Sequence, residues 1–182
     1  RVLTRRIAHL LAVGDATPGQ ILAITFTNKA AAEMKERVAD IVGPAGRTMW
    51  VSTFHSACVR ILRAESHRLG VKSNFTIYDT QDSLRLITLI LRDFTIDAKN
   101  TKPRMLLSRI SSAKNELIDH ETFLSNTQLS SDKDAAIESV IAQVYREYQN
   151  RLTIANAFDF DDLIGSTVAL MQLFPEVANM YR

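Results

Sequence analysis

Apolar positions Val2, Leu3, Ile7, Leu10 and Leu11 recur at helical spacing and predict a first helix over Arg1 to Val13. No capping residue precedes it, so a helix is expected to be already under way where the chain begins. Gly14-Asp-Ala-Thr-Pro-Gly19 reads as a loop. The short apolar run Ile21 to Thr25 predicts a buried parallel strand. Thr27 or Asn28 is placed to cap a helix that runs through Ala31, Met34, Val38 and Ile41 to about Val42, where Gly43-Pro-Ala-Gly46 ends it. Met49 to Thr53 predicts a second strand, Phe54 to Leu69 a second amphipathic helix stopped by Gly70, and Phe75 to Tyr78 a third, short strand. Strand, helix, strand, helix, strand is the order of a parallel α/β sheet.

After Asp79 the period changes. Asp79 is placed as the N-cap of a helix through Leu84, Ile87, Leu91 and Phe94. Pro103 suits the first turn of another, running to about Leu117. Residues 119–131 are polar and read as a loop. A long helix over about Lys133 to Ile154 follows, and Phe158-Asp-Phe-Asp-Asp-Leu163 leads into a last helix ending near Phe174-Pro175. This half reads as all helix, without internal repeats or low-complexity tracts.

Composition narrows the class. Of 182 residues, 46% are apolar and 23% charged, which supports a buried core in one domain or two small ones. The single cysteine, Cys58, excludes an internal disulfide framework or a cysteine zinc site and fits a reducing compartment. His9, His55, His67 and His120 show no ligand spacing, and no metal site is expected. No apolar run approaches the ~20 residues of a membrane span, and no signal-peptide pattern is visible. The net charge of +2 conceals an asymmetry. Residues 1–78 hold 11 Lys/Arg against 5 Asp/Glu, and residues 79–182 hold 11 against 15. A polyanion partner suits the first part, and chance distribution is the plainer alternative.

Two segments in the basic part carry chemistry: Ile24-Thr-Phe-Thr-Asn-Lys-Ala-Ala-Ala-Glu33 and Val51-Ser-Thr-Phe-His-Ser56. Each is an apolar run that ends in polar and aromatic residues just before a helical pattern, which puts those groups at the carboxyl end of a strand, where open α/β sheets bind ligands. A ring beside small polar groups suits single-stranded nucleic acid, the ring stacking on a base and the polar groups holding phosphates. Thr25, Thr27 and Asn28 can donate to phosphate oxygens, helped by backbone N–H groups of the helix start; capping is the alternative for Thr27 and Asn28. Lys29 either adds attraction or is only solvated. Phe54 and Cys58 read as core. Arg60, Arg63, Arg68 and Lys72 form either a basic face or a solvated one. Asp159, Asp161 and Asp162 suggest a metal site or, with the stronger case, helix capping.

Ile24 to Arg37 resembles motif Ia, and Val51 to Leu62 motif Ib, of the UvrD/Rep/PcrA family of superfamily I DNA helicases. Ser112-Ala-Lys-Asn-Glu-Leu117 and Phe158-Asp-Phe-Asp-Asp-Leu-Ile164 are similar to further family segments, in the family's order. The resemblance implies an α/β fold: an incomplete RecA-like parallel sheet of the P-loop NTPase type with an all-helical inserted subdomain. Residues 1–78 would belong to the first RecA-like domain, 79–157 to the insertion and 158–182 to the return into the core. It further implies an ATP-dependent 3′–5′ helicase serving repair or plasmid replication in the cytoplasm. Phe26 would stack on a base, and Thr53 and His55 would lie along the single strand beside Thr25, Thr27 and Asn28. Arg1 would lie near ATP in the parent protein. Lys102, Arg104, Arg109 and Lys114 would sit on the insertion, near the junction with fork or duplex DNA.

In the family, Gly-Lys-Thr of the phosphate loop directly precedes the arginine that matches Arg1, and the Asp-Glu pair for Mg²⁺ follows the region of Arg182. Neither occurs in this chain, nor does any G-x-x-x-x-G-K-S/T. A second RecA-like domain with its arginine finger is also missing. The expectation is therefore a piece of a motor, with ATP and Mg²⁺ acting in the parent and neither bound by the piece, which alone is without ATPase or unwinding activity. Its partners would be single-stranded and fork DNA, the rest of the helicase chain and repair proteins, with no membrane. A sheet so reduced is expected to expose strand edges and apolar surface. The rival readings are a helicase–nuclease of the AddA or RecB type and a non-enzymatic binding module that docks DNA or a protein.

Overall fold

A computed structural model describes residues 2–96, 101–129 and 135–181. They fall into two compact units, residues 1–60 and 61–182. The architecture is mostly helical, with one small parallel sheet in each unit.

In the first unit β1 (Leu22–Thr25) pairs in parallel with β2 (Trp50–Thr53), Leu22 opposite Trp50 and Thr25 opposite Thr53. A parallel pair needs a crossover, which α2 (Asn28–Val42) supplies. Helix α1 (Val2–Ala12) packs against α2. Ile7, Ala23, Val38 and Met49 form the buried core, with Leu11, Ile21, Met34, Val42 and Val51 half-buried around it. Gly43 ends α2 with φ +81°, a conformation that favours glycine. The turn after it approaches α2 so closely that a Cβ on Gly46 would lie 3.0 Å from the Ala39 nitrogen. The strand expected to be buried is half open: only Ala23 of β1 is buried, and Leu22 is 38% exposed. The reason is topological. Among the described residues neither strand pairs with a further one, so both outer edges stay uncovered.

Helix α3 (Phe54–Glu65) crosses from the first unit into the second. There β3 (Thr76–Tyr78) pairs in parallel with β4 (Ala157–Asp159), Tyr78 opposite Asp159. Strand β4 corrects the expectation of an all-helical second half. Three residues carry no readable period, and the strand exists because β3 offers it a partner. Between the two strands lie α4 (Thr80–Asp93), α5 (Pro103–Asn115), α6 (His120–Leu129) and α7 (Ala135–Ile154). The start expected for α7 at Lys133 lies outside the described residues. The core of this unit joins Ile87, Ile90, Leu106, Ile110, Tyr148 and Leu152 with their neighbours.

Helix α6 occupies the stretch read as a loop. Its start is capped by Asp119, whose Oδ1 accepts the Thr122 N–H at 2.7 Å. Its polar sequence conceals a packed face: the rings of His120 and Phe123 each stand 6.0 Å from that of Tyr145. After β4 come α8 (Phe160–Leu173) and a further helix, α9 (Pro175–Met180), which opens with the proline near which the last helix is expected to end. The arginines trailing the second motif form no free basic face. Arg60 stacks over Trp50 at 4.4 Å, Arg63 stacks over Phe75 at 4.4 Å, and Arg68 pairs with Glu65 and Glu176. Among the described residues no helix is long and apolar enough to cross a membrane.

Candidate nucleic-acid interface

The carboxyl ends of β1 and β2 carry the residues singled out from the sequence. Thr25 and Thr53 are the last register partners of the pair, so the chain leaves the sheet twice at one level. After Thr25 come Phe26 and Thr27. Thr27 caps α2, its Oγ1 accepting the Ala30 N–H at 3.1 Å, while the Thr25 hydroxyl donates to the Thr27 carbonyl at 2.9 Å. These two bonds hold the turn so that Phe26 points outward, 91% exposed. Asn28 and Lys29 open α2 and are exposed. The first-turn N–H groups of a helix lack partners within it and attract an anion.

After Thr53 the same plan recurs. Its Oγ1 accepts the Ser56 N–H at 3.2 Å and lies 2.8 Å from the Ser56 hydroxyl, which fixes the start of α3. His55 is exposed there. Phe54, read as core, is instead 49% exposed, its ring 6.1 Å from that of Phe26. The correction has a local cause. Phe54 is the first residue of α3, so its side chain leaves the sheet end rather than entering either face. Thr25, Phe26, Thr27, Asn28, Thr53 and His55 are therefore grouped at one end of one small sheet. Arg1 lies outside the described residues.

The second unit repeats the polar–Phe junction once more. Asp159 ends β4, and Phe160 opens α8, 46% exposed on the wall of a cleft of about 650 Å³ that Arg104, Ser108 and Ser111 of α5 also line. Sequence reasoning took this segment as a family resemblance and an acidic cluster, and gave Phe160 no role. The missed signal is shared by all three junctions: a strand, a residue whose side chain bonds the coming turn, then Phe.

The acidic cluster itself is a capping box. The Asp162 N–H donates to Asp159 Oδ1 at 2.8 Å, and the Asp159 N–H to Asp162 Oδ2 at 3.2 Å. Lys114, expected near a DNA junction, is 5% exposed at its side chain and donates to Asp159 Oδ2 at 2.7 Å and Asp162 Oδ1 at 2.8 Å. Its apolar helix face turns it inward, where two carboxylates compensate the buried charge. The Tyr148 hydroxyl donates to Asp159 Oδ2 at 2.9 Å and lies 2.9 Å from Ser83 Oγ. Burial pushes the Asp162 carboxyl up to about 6, against the pull of Lys114 and with the push of Asp159. Burial likewise raises the Tyr148 phenol. Of the other insertion cations, Arg109 bonds Glu138, while Lys102 and Arg104 are exposed. Among the described residues no group of three His, Cys, Asp or Glu side chains is arranged to hold a metal ion.

The family model of the UvrD/REP helicase N-terminal domain matches residues 1–182. The chain belongs to the UvrD/Rep helicase family. Among similar UvrD/Rep proteins, the ATP-dependent DNA helicase UvrD1 of Mycobacterium tuberculosis is 56% identical over 183 residues, covering 100% of this chain and 23% of the relative. The ATP-dependent DNA helicase PcrA of Bacillus subtilis is 48% identical over 182 residues, covering 100% and 24%, and that of Staphylococcus aureus is 46% identical over 184 residues. The chain thus spans about a quarter of the length of these UvrD/Rep relatives.

Proposed function

We propose that this chain is part of an ATP-dependent 3′–5′ DNA helicase acting in cytoplasmic DNA repair and replication, and that it supplies part of the track for single-stranded DNA. Residues 1–78 then belong to a RecA-like motor domain, 79–157 to a helical insertion and 158–182 to the return into the motor. The observation that carries this reading is the register of Thr25 with Thr53, which brings an exposed Phe26 and an exposed His55 to one sheet end. The names of the UvrD1 and PcrA relatives, ATP-dependent DNA helicases, support it.

In this reading Phe26 stacks on a base and Thr25, Thr27, Asn28, Thr53 and His55 meet the backbone. Neither contact reads a base edge, so any sequence is accepted. Most of these donors are neutral, and neutral donors hold phosphate less tightly than charged ones. That suits a strand that must be released at every step. Phe160 offers a further stacking ring in the second unit, and Lys102 and Arg104 are the cations left for a fork or duplex junction.

ATP and Mg²⁺ belong to the parent in this proposal, together with the rest of the helicase chain and repair partners. The residues described here do not fit them. The sequence has no phosphate-loop motif, and each oxygen of Asp159 and Asp162 is already bonded within the protein. By itself the chain is proposed to lack ATPase and unwinding activity.

The test is an anisotropy titration of fluorescent oligothymidylate at two salt concentrations, comparing the chain with Phe26→Ala. Affinity is expected to fall with salt, with a log–log slope of about −0.7 per phosphate neutralised, and to fall further in the variant. Binding that survives loss of both Phe26 and His55 unchanged would defeat the track and favour a non-enzymatic binding module.

A further inference from the structure

Two Asp-x-x-Asp capping boxes stand at the ends of the paired strands β3 and β4, and they differ in burial, in the residue after the cap and in a lysine partner. In the box of α4, Asp79 accepts the Gln81 and Asp82 N–H groups at 2.7 and 2.9 Å, and the Asp79 N–H donates to Asp82 at 3.2 Å. It is completed without a lysine, and its second residue is Thr80. The box of α8 is buried, and its second residue is Phe160. There each carboxylate uses one oxygen for the reciprocal backbone bond and the other for Lys114. Capping alone therefore does not require the lysine, since the α4 box caps without one.

Burying an ammonium with two carboxylates carries a desolvation penalty that a stability role does not explain, because well-packed apolar residues often serve as well. What the lysine adds is geometric. The turn that carries Phe160 lies between Asp159 and Asp162, and Lys114 on α5 bridges both. Tyr148 on α7 bonds the same Asp159 oxygen as Lys114 and contacts Ser83 on α4. The β4–α8 turn is thereby tied to three other helices, and its Phe160 lines the cleft together with Asp159 and Asp161. We propose that Lys114 is a positioning residue for Phe160: by bonding the second oxygen of both capping carboxylates it fixes the strand-to-helix turn and aims the ring. The inference rests on the reading that Phe160 stacks on a DNA base.

The test uses Lys114→Met combined with Asp162→Asn. This pair removes one charge of each sign and leaves an asparagine able to accept the Asp159 N–H, so the box persists and only the bridge is lost. A single fluorinated phenylalanine at position 160 reports its surroundings by ¹⁹F NMR, and oligothymidylate anisotropy reports binding. The bridge-less variant is expected to shift the position-160 resonance toward that of the free amino acid, and the control Asp82→Asn to leave it in place. Phe160→Ala is expected to weaken binding roughly 5- to 150-fold, the range of base–aromatic stacking. The bridge-less variant is expected to lose much of that, and nothing more when Phe160 is already alanine.

An unmoved resonance, or an equal loss of affinity with and without Phe160, overturns the inference. Unchanged binding by Phe160→Ala with a shifted resonance defeats the stacking reading and leaves the hold of Lys114 on Phe160 standing. Should the double variant fail to fold, Lys114→Arg carries the same test. It keeps the cation but replaces a point ammonium with a planar fork, so the resonance is again expected to shift.

Discussion

Thr25 and Thr53 stand opposite each other at the last paired position of β1 and β2. Each bonds the turn that follows it, and each is followed by an exposed phenylalanine. Capping and strand contact therefore involve neighbouring residues but different atoms, and mutation can separate them. Phe26→Ala is expected to change stability by no more than about 0.5 kcal/mol, since so exposed a ring packs little. Its oligothymidylate affinity is expected to fall by about 1–3 kcal/mol. Thr27→Ala is expected to cost about 1 kcal/mol of stability through the lost cap, read from urea midpoints.

Gly46 is a packing glycine rather than a conformational one. A Cβ there would meet the Ala39 nitrogen and the Val42 Cγ2 at 3.0 Å and the Ala39 Cα at 3.1 Å. Two of these three atoms are helix backbone and cannot swing aside. Gly46→Ala is expected to destabilise the first unit by about 1–3 kcal/mol, measured by thermal or urea unfolding.

Tyr148 is fully buried, and its hydroxyl links Ser83 to Asp159. Tyr148→Phe keeps the ring but removes a hydrogen bond to a charged group. The expected loss is about 1.5–3 kcal/mol, seen as a lower urea midpoint with an unchanged slope.

Asp162 makes the second unit less stable as pH rises. Its folded carboxyl is pushed up to about 6 from an ordinary value of 3.8, so between these limits the folded state holds more protons than the unfolded one. Stability from this group is therefore greatest below pH 4 and declines through about pH 6, by on the order of 2–3 kcal/mol in all. Asp79 and Asp119 act oppositely. Backbone N–H bonds hold both below the usual range, so their contributions are present at neutral pH and are lost in acid. Urea midpoints taken from pH 4.5 to 7 should fall more steeply for the native chain than for Asp162→Asn. Parallel pH profiles would sink the assignment.

Local signals made much of the fold readable. Apolar spacing located α1, α2 and α4, and Thr27, Asp79 and Pro103 marked helix starts by side-chain or ring chemistry that acts within a few residues. Helix α6 escaped because the partner of its Phe123, Tyr145 on α7, is remote in sequence. Strand β4 escaped because its partner β3 is remote in sequence. Lys114 reads as a surface cation in any one-dimensional view, since only the arrival of Asp159 and Asp162 beside it makes burial tolerable.

The sequence by itself determined the family, the order of most elements and the polar–aromatic composition of the strand ends, because these depend on residues close together in the chain. Only the tertiary structure decided that Thr25 meets Thr53, that Phe54 and Phe160 face outward, and that Lys114 turns from solvent to a pair of aspartates. Those outcomes depend on register and burial, which are properties of segments brought together from far apart.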